Sequence, residues 1–321
     1  MSRNVTAFPN PRRRARAKSA PARDETLYLI GRGSTPTRFL RFVKREAVEH
    51  FEEGDLLDEW GAAAEHIRTL RSEQAGFADG PVIEDLGPEY EPLLIEFLKD
   101  PLVRHGFNTV PTEVGMVELD RLVVYQNHID LTHVRNLERT IGRAPSREEL
   151  FRVCLPYDHP SPPVAWSRTR DDAYVFVSPS NDLRFLGTLS LEGDQVVNCP
   201  PPGAVVGIIG LSVGFGSNFL NAIYAENRLI LHNGSHRAYA LRELGVTHVP
   251  CVVQHVSTRA ELDVVAPSQV RRAPDRFLKD PRPSVLKDYF DPRLRKLVPV
   301  RRRARQVTVR FKVEETYVPA L

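Results

Sequence analysis

The sequence has few cysteines and no long apolar run. Its 3 cysteines, Cys154, Cys199 and Cys251, lie far apart and form no CxxC pair. This spacing disfavours a disulfide framework or a cysteine zinc site, and it fits small packing residues in a reducing compartment. The most apolar window, 204–211, contains glycines and is far shorter than the roughly 18 residues of a membrane span. We therefore expect no membrane segment.

Recognisable targeting and catalytic signatures are also missing. No apolar segment follows the basic N-terminus, so we do not expect a secretory signal. We expect a cytoplasmic location. No HExxH or GxSxG pattern occurs. His105 and His159 belong to no ligand motif. Two interpretations are open for His128, Asp130 and His133: a small metal cluster, or capping of a helix by Asp130. We favour the cap and predict no metal site.

Charge is spread unevenly along the chain, although the net charge is only +3. Residues 1–23 carry 7 basic side chains and no acid, 46–100 carry 16 acids against 3 basic residues, and 270–312 carry 15 basic residues against 4 acids. Two interpretations stay open. In the first, nucleic acid binds to two basic segments: residues 1–23, which are expected to be a disordered arm, and Arg301–Arg305. In the second, the oppositely charged parts of the chain contact each other.

Hydrophobic periodicity predicts a mixture of helices and strands. Helices are expected within 35–51, 56–71, 90–98, 131–141, 146–154, 219–225 and 237–244. Strands are expected at 27–30, 114–119, 122–125, 174–177, 204–209, 229–231, 249–253 and 306–313. The fold class that follows is α+β, with a mostly helical, acidic segment before the mixed region and a basic tail after it.

One segment, 229–253, carries a pattern suited to anion binding. It reads as a strand, a tight Asn233-Gly234 turn, the polar triplet Ser235-His236-Arg237, an amphipathic helix, a glycine stop and a second strand. The triplet is thus expected on the first turn of a helix, where free backbone N–H groups and the helix dipole favour an anion. Gly234 would let the backbone approach a ligand, and the His236 and Arg237 side chains are donors suited to phosphate oxygens.

A second, weaker anion-loop candidate precedes this segment. Gly214, Gly216 and Ser217 lie in a glycine-rich stretch that lacks the lysine of a Walker A loop and the full spacing of a dinucleotide loop. The stretch would form either the opposite wall of the phosphate site or a surface turn.

The motif resembles that of the ParB/sulfiredoxin superfamily. Its Gly-Ser-His-Arg box, the Ala-Tyr-Ala-Leu helix, Leu-Gly and Val-Pro carry the resemblance, which covers 222–256 well and 110–141 more weakly. It implies a small mixed-sheet domain over 108–257 with an insertion at about 142–203. The flanking units would be the arm 1–23, a helical acidic segment 24–107 and a basic extension 258–321. The box would bind a nucleoside triphosphate, ATP or CTP, with magnesium.

The resemblance also bears on individual residues. Ser235 stands where sulfiredoxins have their catalytic cysteine, and a serine cannot form their thiol-based intermediate. Gln126 stands where free-serine kinases of the superfamily carry a glutamate, and an amide is no general base. Ser235 and Glu118 remain the catalytic candidates. The structural alternatives are a helix cap for Ser235, packing for His236, and an ion pair from Arg237 to one of two glutamates, Glu226 or Glu243.

Three functions therefore stay open. The first is an NTP-dependent enzyme or switch, acting as an NTP hydrolase, phosphotransferase or nuclease. The second is a DNA-associated ParB-like protein, although the chain after residue 256 is too proline-rich for a convincing helix-turn-helix. The third is a non-enzymatic module that retains a phosphate site. A homodimer is compatible with each of them.

Overall fold

The computed structural model describes residues 23–31, 35–157, 159, 162–169, 172–180, 182–191 and 205–319. The expected disordered arm therefore lies outside the described residues, apart from Arg23, as does Cys199. Of the predicted strand at 204–209, residue 204 lies outside the described residues, 205–207 are not strand, and Ile208 and Ile209 begin a strand that runs on to Phe215. Helices and several small sheets alternate along the chain, which confirms the α+β class. Within the described part, no helix is both long enough and apolar enough to cross a membrane.

The helices are short except for one. They run over Pro36–Glu46 (α1), Glu53–Glu73 (α2), Glu91–Leu98 (α3), Pro101–Gly106 (α4), Leu131–Ile141 (α5), Arg147–Cys154 (α6), Ser235–Glu243 (α7), Arg259–Val265 (α8), Ser268–Arg272 (α9) and Pro274–Leu278 (α10). Short 3-10 turns cover Pro88–Tyr90, Leu119–Arg121, Leu286–Phe290 and Pro292–Leu294.

The strands form four separate sheets. They run over Arg23–Leu29 (β1), Ile83–Glu84 (β2), Thr112–Glu118 (β3), His128–Asp130 (β4), Ala165–Arg168 (β5), Ala173–Ser178 (β6), Leu183–Leu191 (β7), Ile208–Phe215 (β8), Asn221–Ala225 (β9), Arg228–Asn233 (β10), His248–Val256 (β11), Arg295–Arg301 (β12) and Arg305–Arg310 (β13).

The central sheet carries the anion motif. Its strand order is β10-β9-β11-β3-β2, and all neighbouring strands are antiparallel except β9 and β11. The helix α7 connects β10 to β11, and its apolar side chains join the largest core cluster, which also includes residues of α5 and α6. The motif helix is therefore fixed against the sheet by its own buried residues, Ala238, Tyr239, Ala240 and Leu241.

A second sheet, β12-β1-β4, ties the two ends of the chain to the central region. β1 pairs with β12 on one side, from Arg23 opposite Arg301 to Leu29 opposite Arg295, and with β4 on the other. The helices α1 and α2 pack on this sheet through a cluster that includes Tyr28, Phe39 and Trp60. The acidic segment, the motif region and the basic tail thus share one layer.

The region predicted as an insertion contains helix α6, which packs into the main core, and strands β5, β6 and β7, which enter two small sheets together with strands from outside it. β6 pairs with β5 and with β13 of the tail, while β7 and β8 form a two-stranded sheet of their own. The predicted tail strand at 306–313 is confirmed for its first part, since β13 covers Arg305–Arg310 and pairs with β6, while 311–313 are not strand.

The predicted caps of helices α1, α5 and α6 are confirmed. Thr35 Oγ1 accepts a hydrogen bond from Arg38 N at 3.3 Å and caps α1, and Asp130 Oδ1 accepts one from His133 N at 3.0 Å and caps α5. Ser146 and Glu149 form the predicted capping box of α6. These caps satisfy N–H groups that have no partner within the helix.

Two predictions were wrong. The segment 219–225 is not a helix, because Asn221–Ala225 form strand β9 between β10 and β11, with Ala222 and Ile223 wholly buried. The segment 122–125 is not a strand. Only Val123 makes isolated bridges, to Ile230 and Val285.

The oppositely charged parts of the chain do contact each other. Lys296 of β12 pairs with Glu59 of α2, and Arg71 of α2 pairs with Asp280 at 2.6 Å. Arg303 reaches Glu46, a mostly buried residue at the end of α1, also at 2.6 Å. This observation supports the intramolecular interpretation of the charge asymmetry.

Candidate functional site

The motif lies at the start of α7, as predicted. Gly234 is the residue before the helix and adopts φ +94°, a left-handed conformation that favours glycine. The Asn233 side chain accepts a hydrogen bond from Gly234 N at 2.9 Å and donates one to Ser217 O at 2.9 Å. A Cβ at position 234 would meet Leu220 at 3.2 Å. Close packing and backbone conformation both require glycine here.

The first turn of α7 presents backbone donors with no partner inside the helix. The first intrahelical bond runs from Ala238 N to Gly234 O at 2.8 Å, which leaves the N–H groups of Ser235, His236 and Arg237 outside the ladder. No side chain caps this end, and no acidic residue lies in the first turn. The partial positive charge of the helix start is therefore not neutralised by its own residues.

His236 brings a side chain with an unsatisfied polar atom to this turn. Its Nε2 is buried and has no hydrogen-bond partner in the structure. The ring meets that of His133, at the start of α5, edge to face with 5.3 Å between centroids. Burial lowers the pKa of His236 to about 3, with a further contribution from His133 and His128. The ring is therefore neutral at pH 7 and keeps one donor or acceptor unused.

His232, which precedes the turn, also has a buried ring nitrogen without a hydrogen-bond partner. Its Nδ1 is buried and unpartnered, and burial, aided by the charge of Arg184, lowers its pKa to about 4. Its backbone carbonyl accepts a hydrogen bond from the Tyr125 hydroxyl at 2.9 Å. Buried polar groups are nearly always paired with protein, water or ligand, so two unpaired ring nitrogens next to one turn are unusual.

Arg237 does not have the expected geometry. Its guanidinium is turned inward, where Nη1 donates to Cys154 O at 2.8 Å and Nη2 donates to Asn218 Oδ1. The residue is 6% exposed and pairs with neither of the glutamates considered from sequence. Its donors therefore hold α7 to the end of α6 and to the strand connection at 216–220. A direct phosphate contact would require these bonds to break.

Ser235 also differs from the expected cap. It is the first residue of α7, not the residue before it, and it is 3% exposed. The capping position is occupied by Gly234, so the helix cap considered from sequence as the structural alternative for Ser235 is not formed.

The second loop candidate is mostly strand. Gly214 lies in β8 opposite Arg184, and Gly216 N donates to Asp182 Oδ2 at 2.9 Å. Ser217 does reach the motif, through its backbone carbonyl. The stretch therefore adjoins the turn as predicted, but it supports Asn233 and Arg237 and its N–H groups do not form an anion loop.

Glu118 lies at the wrong end of the helix for catalysis with Ser235. It ends β3 opposite His248, where Thr247 O accepts a hydrogen bond from Leu119 N after α7 has ended. The neighbouring Asp120 is held by Arg242 of the last turn of α7 at 2.9 Å. Neither carboxylate can act on a group bound at Ser235.

Other reactive side chains near the motif are inert or absent. Burial raises the pKa of the Cys154 thiol to about 12, so this cysteine is a packing residue. Within the described ranges, no group of three histidine, cysteine or carboxylate side chains could hold a metal ion.

Sequence reasoning missed the contributions of His133 and His232. From sequence, His232 is interpreted as a structural or exposed residue, and His133 is considered only as a member of a possible metal cluster with His128 and Asp130. Only the pairing of the α5 and α7 starts in space brings the histidine rings together.

No family model, no curated protein and no solved structure matches this chain.

Proposed function

We propose that this chain is a nucleotide-binding protein with a ParB/sulfiredoxin-like domain, and that it holds the phosphates of a nucleoside triphosphate at the start of α7. The observation that carries the proposal is the uncapped first turn of α7 beside the unpartnered Nε2 of His236. A phosphate there would accept hydrogen bonds from the free backbone N–H groups and from the imidazole.

The residues present fit an anion better than any other ligand class. The turn has no acid in it, the neighbouring His232 and His236 are neutral, and the helix dipole favours negative charge. ATP or CTP, with magnesium on the phosphate oxygens, is the ligand that the motif suggests. His133, at the start of α5, contacts the His236 ring edge to face.

Binding is better supported than catalysis. Glu118 is remote, and Gln126 carries no general base. The backbone carbonyl of Gln126 accepts a hydrogen bond from the Tyr289 hydroxyl at 2.7 Å. Only Ser235 remains as a nucleophile candidate, and it has no base assigned to it. We therefore propose a nucleotide-responsive binding protein.

The test is calorimetric titration with ATP, CTP, GTP and UTP, each with and without magnesium. His236→Gln should weaken the best ligand at least tenfold, since a charge-assisted hydrogen bond is worth about 1.5–3 kcal/mol. His248→Gln is the matched control, because His248 lies beyond the other end of α7 and should leave affinity unchanged. No measurable binding of any nucleotide, or unchanged affinity in folded His236→Gln, would refute the site.

A second variant separates binding from chemistry. Ser235→Ala should keep nucleotide affinity within about twofold, because the backbone N–H of residue 235 survives the change. If product release from the nucleotide is detected in the parent protein and is lost in this variant, Ser235 is a nucleophile and the protein is an enzyme.

A further inference from the structure

The three-stranded sheet β5–β6–β13 carries a group of aromatic side chains on one face. Trp166 of β5 lies directly opposite Phe176 of β6. Tyr174, two residues before Phe176 on the same strand, lies opposite Arg168. Directly opposed residues, and alternate residues of one strand, have their side chains on the same face of a sheet. Phe311, which follows β13, stacks on Tyr174. We call the rings of Trp166, Tyr174, Phe176 and Phe311 the aromatic platform.

The rings of the platform contact each other in two nearly parallel pairs. Trp166 and Phe176 have centroids 6.3 Å apart and an interplanar angle of 23°, and Tyr174 and Phe311 have values of 6.3 Å and 24°. The two rings at opposite edges of the sheet are open to solvent, since Trp166 is 55% exposed and Phe311 46%. Clustered exposed apolar side chains of this size mark binding surfaces.

The strands that carry the platform contain basic residues and no acid. Their sequences, AWSR, AYVFVS and RQVTVR, include three arginines. Two of these lie on the aromatic face, because Arg168 is opposite Tyr174 and the residue opposite Arg305 is Ser178, two positions after Phe176. Arg168 ends β5 and Arg305 begins β13, so the two guanidinium groups belong to diagonal corners of the face.

These arginines are available to an anion. Arg168 forms an ion pair with Asp172, but both side chains are more than half exposed. Exposed ion pairs contribute little free energy, so replacing this carboxylate by a phosphate costs little. Within the described ranges Arg305 forms no ion pair, and its Nε donates to Leu183 O at 3.3 Å. The face therefore combines stacking surfaces with positive charge at two corners.

We propose that this face of β5–β6–β13 binds single-stranded nucleic acid, whose bases stack on Trp166 and Phe311. Arg168 and Arg305 bind backbone phosphates. Exposed aromatic side chains on a sheet stack unpaired bases in this way, and arginines neutralise the backbone. Every base has a π-face, so RNA and DNA strands both fit, whereas a duplex keeps its base faces covered. The platform belongs to a different sheet from the α7 start, and its ligand does not require nucleotide binding there.

The binding test is fluorescence anisotropy with labelled oligothymidylate and oligouridylate of about 12 nucleotides, a length typical of single-strand sites. A DNA duplex of the same length and vesicles of phosphatidylserine and phosphatidylcholine are the further arms. Both single strands should bind saturably and at least tenfold more tightly than the duplex, with affinity that falls as salt rises. The ratio between the two strands distinguishes DNA from RNA. Equal affinity for the duplex, no saturable binding, or binding of the vesicles alone would overturn the proposal.

Tryptophan fluorescence gives a direct measure of stacking. The chain has 2 tryptophans, and the second, Trp60, is buried in the cluster under α1 and α2. A base stacked on Trp166 should quench its emission on titration with unlabelled oligothymidylate. Trp166→Phe should abolish the quenching and keep most of the affinity, because phenylalanine still offers a ring to the base. Tight binding without quenching in the parent protein would refute stacking on Trp166.

Truncation variants locate the strand on the protein. Trp166→Ala and Phe311→Ala should each weaken oligonucleotide binding at least fivefold, since each removes a stacking surface. Both residues are exposed, so both variants should keep the melting temperature of the parent. Gln306→Ala is the matched control, because Gln306 is an exposed residue of β13 that lies opposite Val177, on the other face.

His236→Gln separates this site from the nucleotide site, and it should leave oligonucleotide affinity unchanged. If His236→Gln weakens oligonucleotide binding while both platform variants keep it, the strand binds at the α7 start and the platform assignment fails. Self-association of the parent chain that Trp166→Ala abolishes, without oligonucleotide binding, would show that a second copy covers the platform and would also overturn the proposal.

Discussion

Arg237 is a residue whose role changes between sequence and structure. The sequence pattern suggests a phosphate ligand, because an arginine on a helix start after glycine is suited to an anion. In the structure its guanidinium donates hydrogen bonds to Cys154 O and to the Asn218 side chain. A sequence gives the chemistry of a side chain but not the direction in which packing turns it. Here the Cys154 carbonyl, at the end of α6, accepts a hydrogen bond that turns the guanidinium inward.

Replacing Arg237 should therefore change the stability of the fold more directly than it changes nucleotide binding. Arg237→Ala removes two charge-assisted hydrogen bonds and leaves Cys154 O buried, which should lower the free energy of unfolding by about 2–4 kcal/mol. Urea denaturation followed by circular dichroism measures this loss. Arg139→Ala, an exposed change on α5, should stay within about 0.5 kcal/mol. An Arg237→Ala protein as stable as the parent, but unable to bind nucleotide, would restore the direct phosphate role.

The buried histidines should make stability depend on pH. The pKa of His236 is about 3 and that of His232 about 4 in the folded protein, against about 6.5 in an unfolded chain. The unfolded state binds more protons between these values, so stability is lost as pH falls from about 6.5 to about 4. Each histidine should contribute about 1.4 kcal/mol per pH unit in that window.

The measurement is the free energy of unfolding from pH 8 to pH 4. His236→Gln should flatten the slope below pH 6.5, while His50→Gln, at an exposed site, should not. Parallel slopes in the parent and the His236→Gln variant would show that the ring is protonated in the folded protein.

At the scale of elements, local signals and tertiary pairing account for what sequence could and could not predict. The bounds of α5 follow from Asp130 as its cap and Gly142 as its stop, both of which act within a few residues. The strand β9 could not be found this way. Its residues form a strand because β10 and β11 pair with both of its edges. The candidate site divides likewise: the turn and helix start were predictable, the histidine contact was not.

The junction between β1 and α2 offers a sharp test of packing. Gly31 follows β1 with φ +71°, and a Cβ there would lie 2.7 Å from the backbone of Ala63. Gly31→Ala combines backbone strain with overpacking and should lower the free energy of unfolding by about 2–4 kcal/mol.

A second glycine in the same region is the control. Gly61 lies within α2 with open space around it, so Gly61→Ala should stabilise the protein by about 0.5–1 kcal/mol. Thermal and urea unfolding of the two variants give opposite signs if the junction is packed as described. Two variants of equal stability would contradict it.

At the scale of the whole molecule, the regions separated by composition do not separate in space. β1 lies between β4 and β12, and Leu286 and Tyr289 of the tail are fully buried in the main core. The charges of the tail also have partners, since Arg302 pairs with Asp24 at 3.1 Å and Arg303 with Glu46. Arg302 and Arg303 of the basic run 301–305 thus form ion pairs within the chain.

Residues 108–257 should therefore not fold alone. Removing 23–107 and 258–319 uncovers β4 and takes Leu286 and Tyr289 out of the core. The fragment should give a narrow amide region in a proton–nitrogen correlation spectrum, whereas the 23–319 chain should give a dispersed one. A dispersed spectrum from the fragment would mean that the motif domain is autonomous.

The pairing of β1 with β12 has a consequence for how the protein is made. The first described strand leaves the ribosome long before its partner is synthesised, and at about 5–20 residues per second the delay is roughly a quarter of a minute to a minute. During that time Leu27 and Leu29 lie on a strand whose edge has nothing to pair with. The yield of native protein in cells should therefore depend on translation speed and on the chaperones that cover nascent chains.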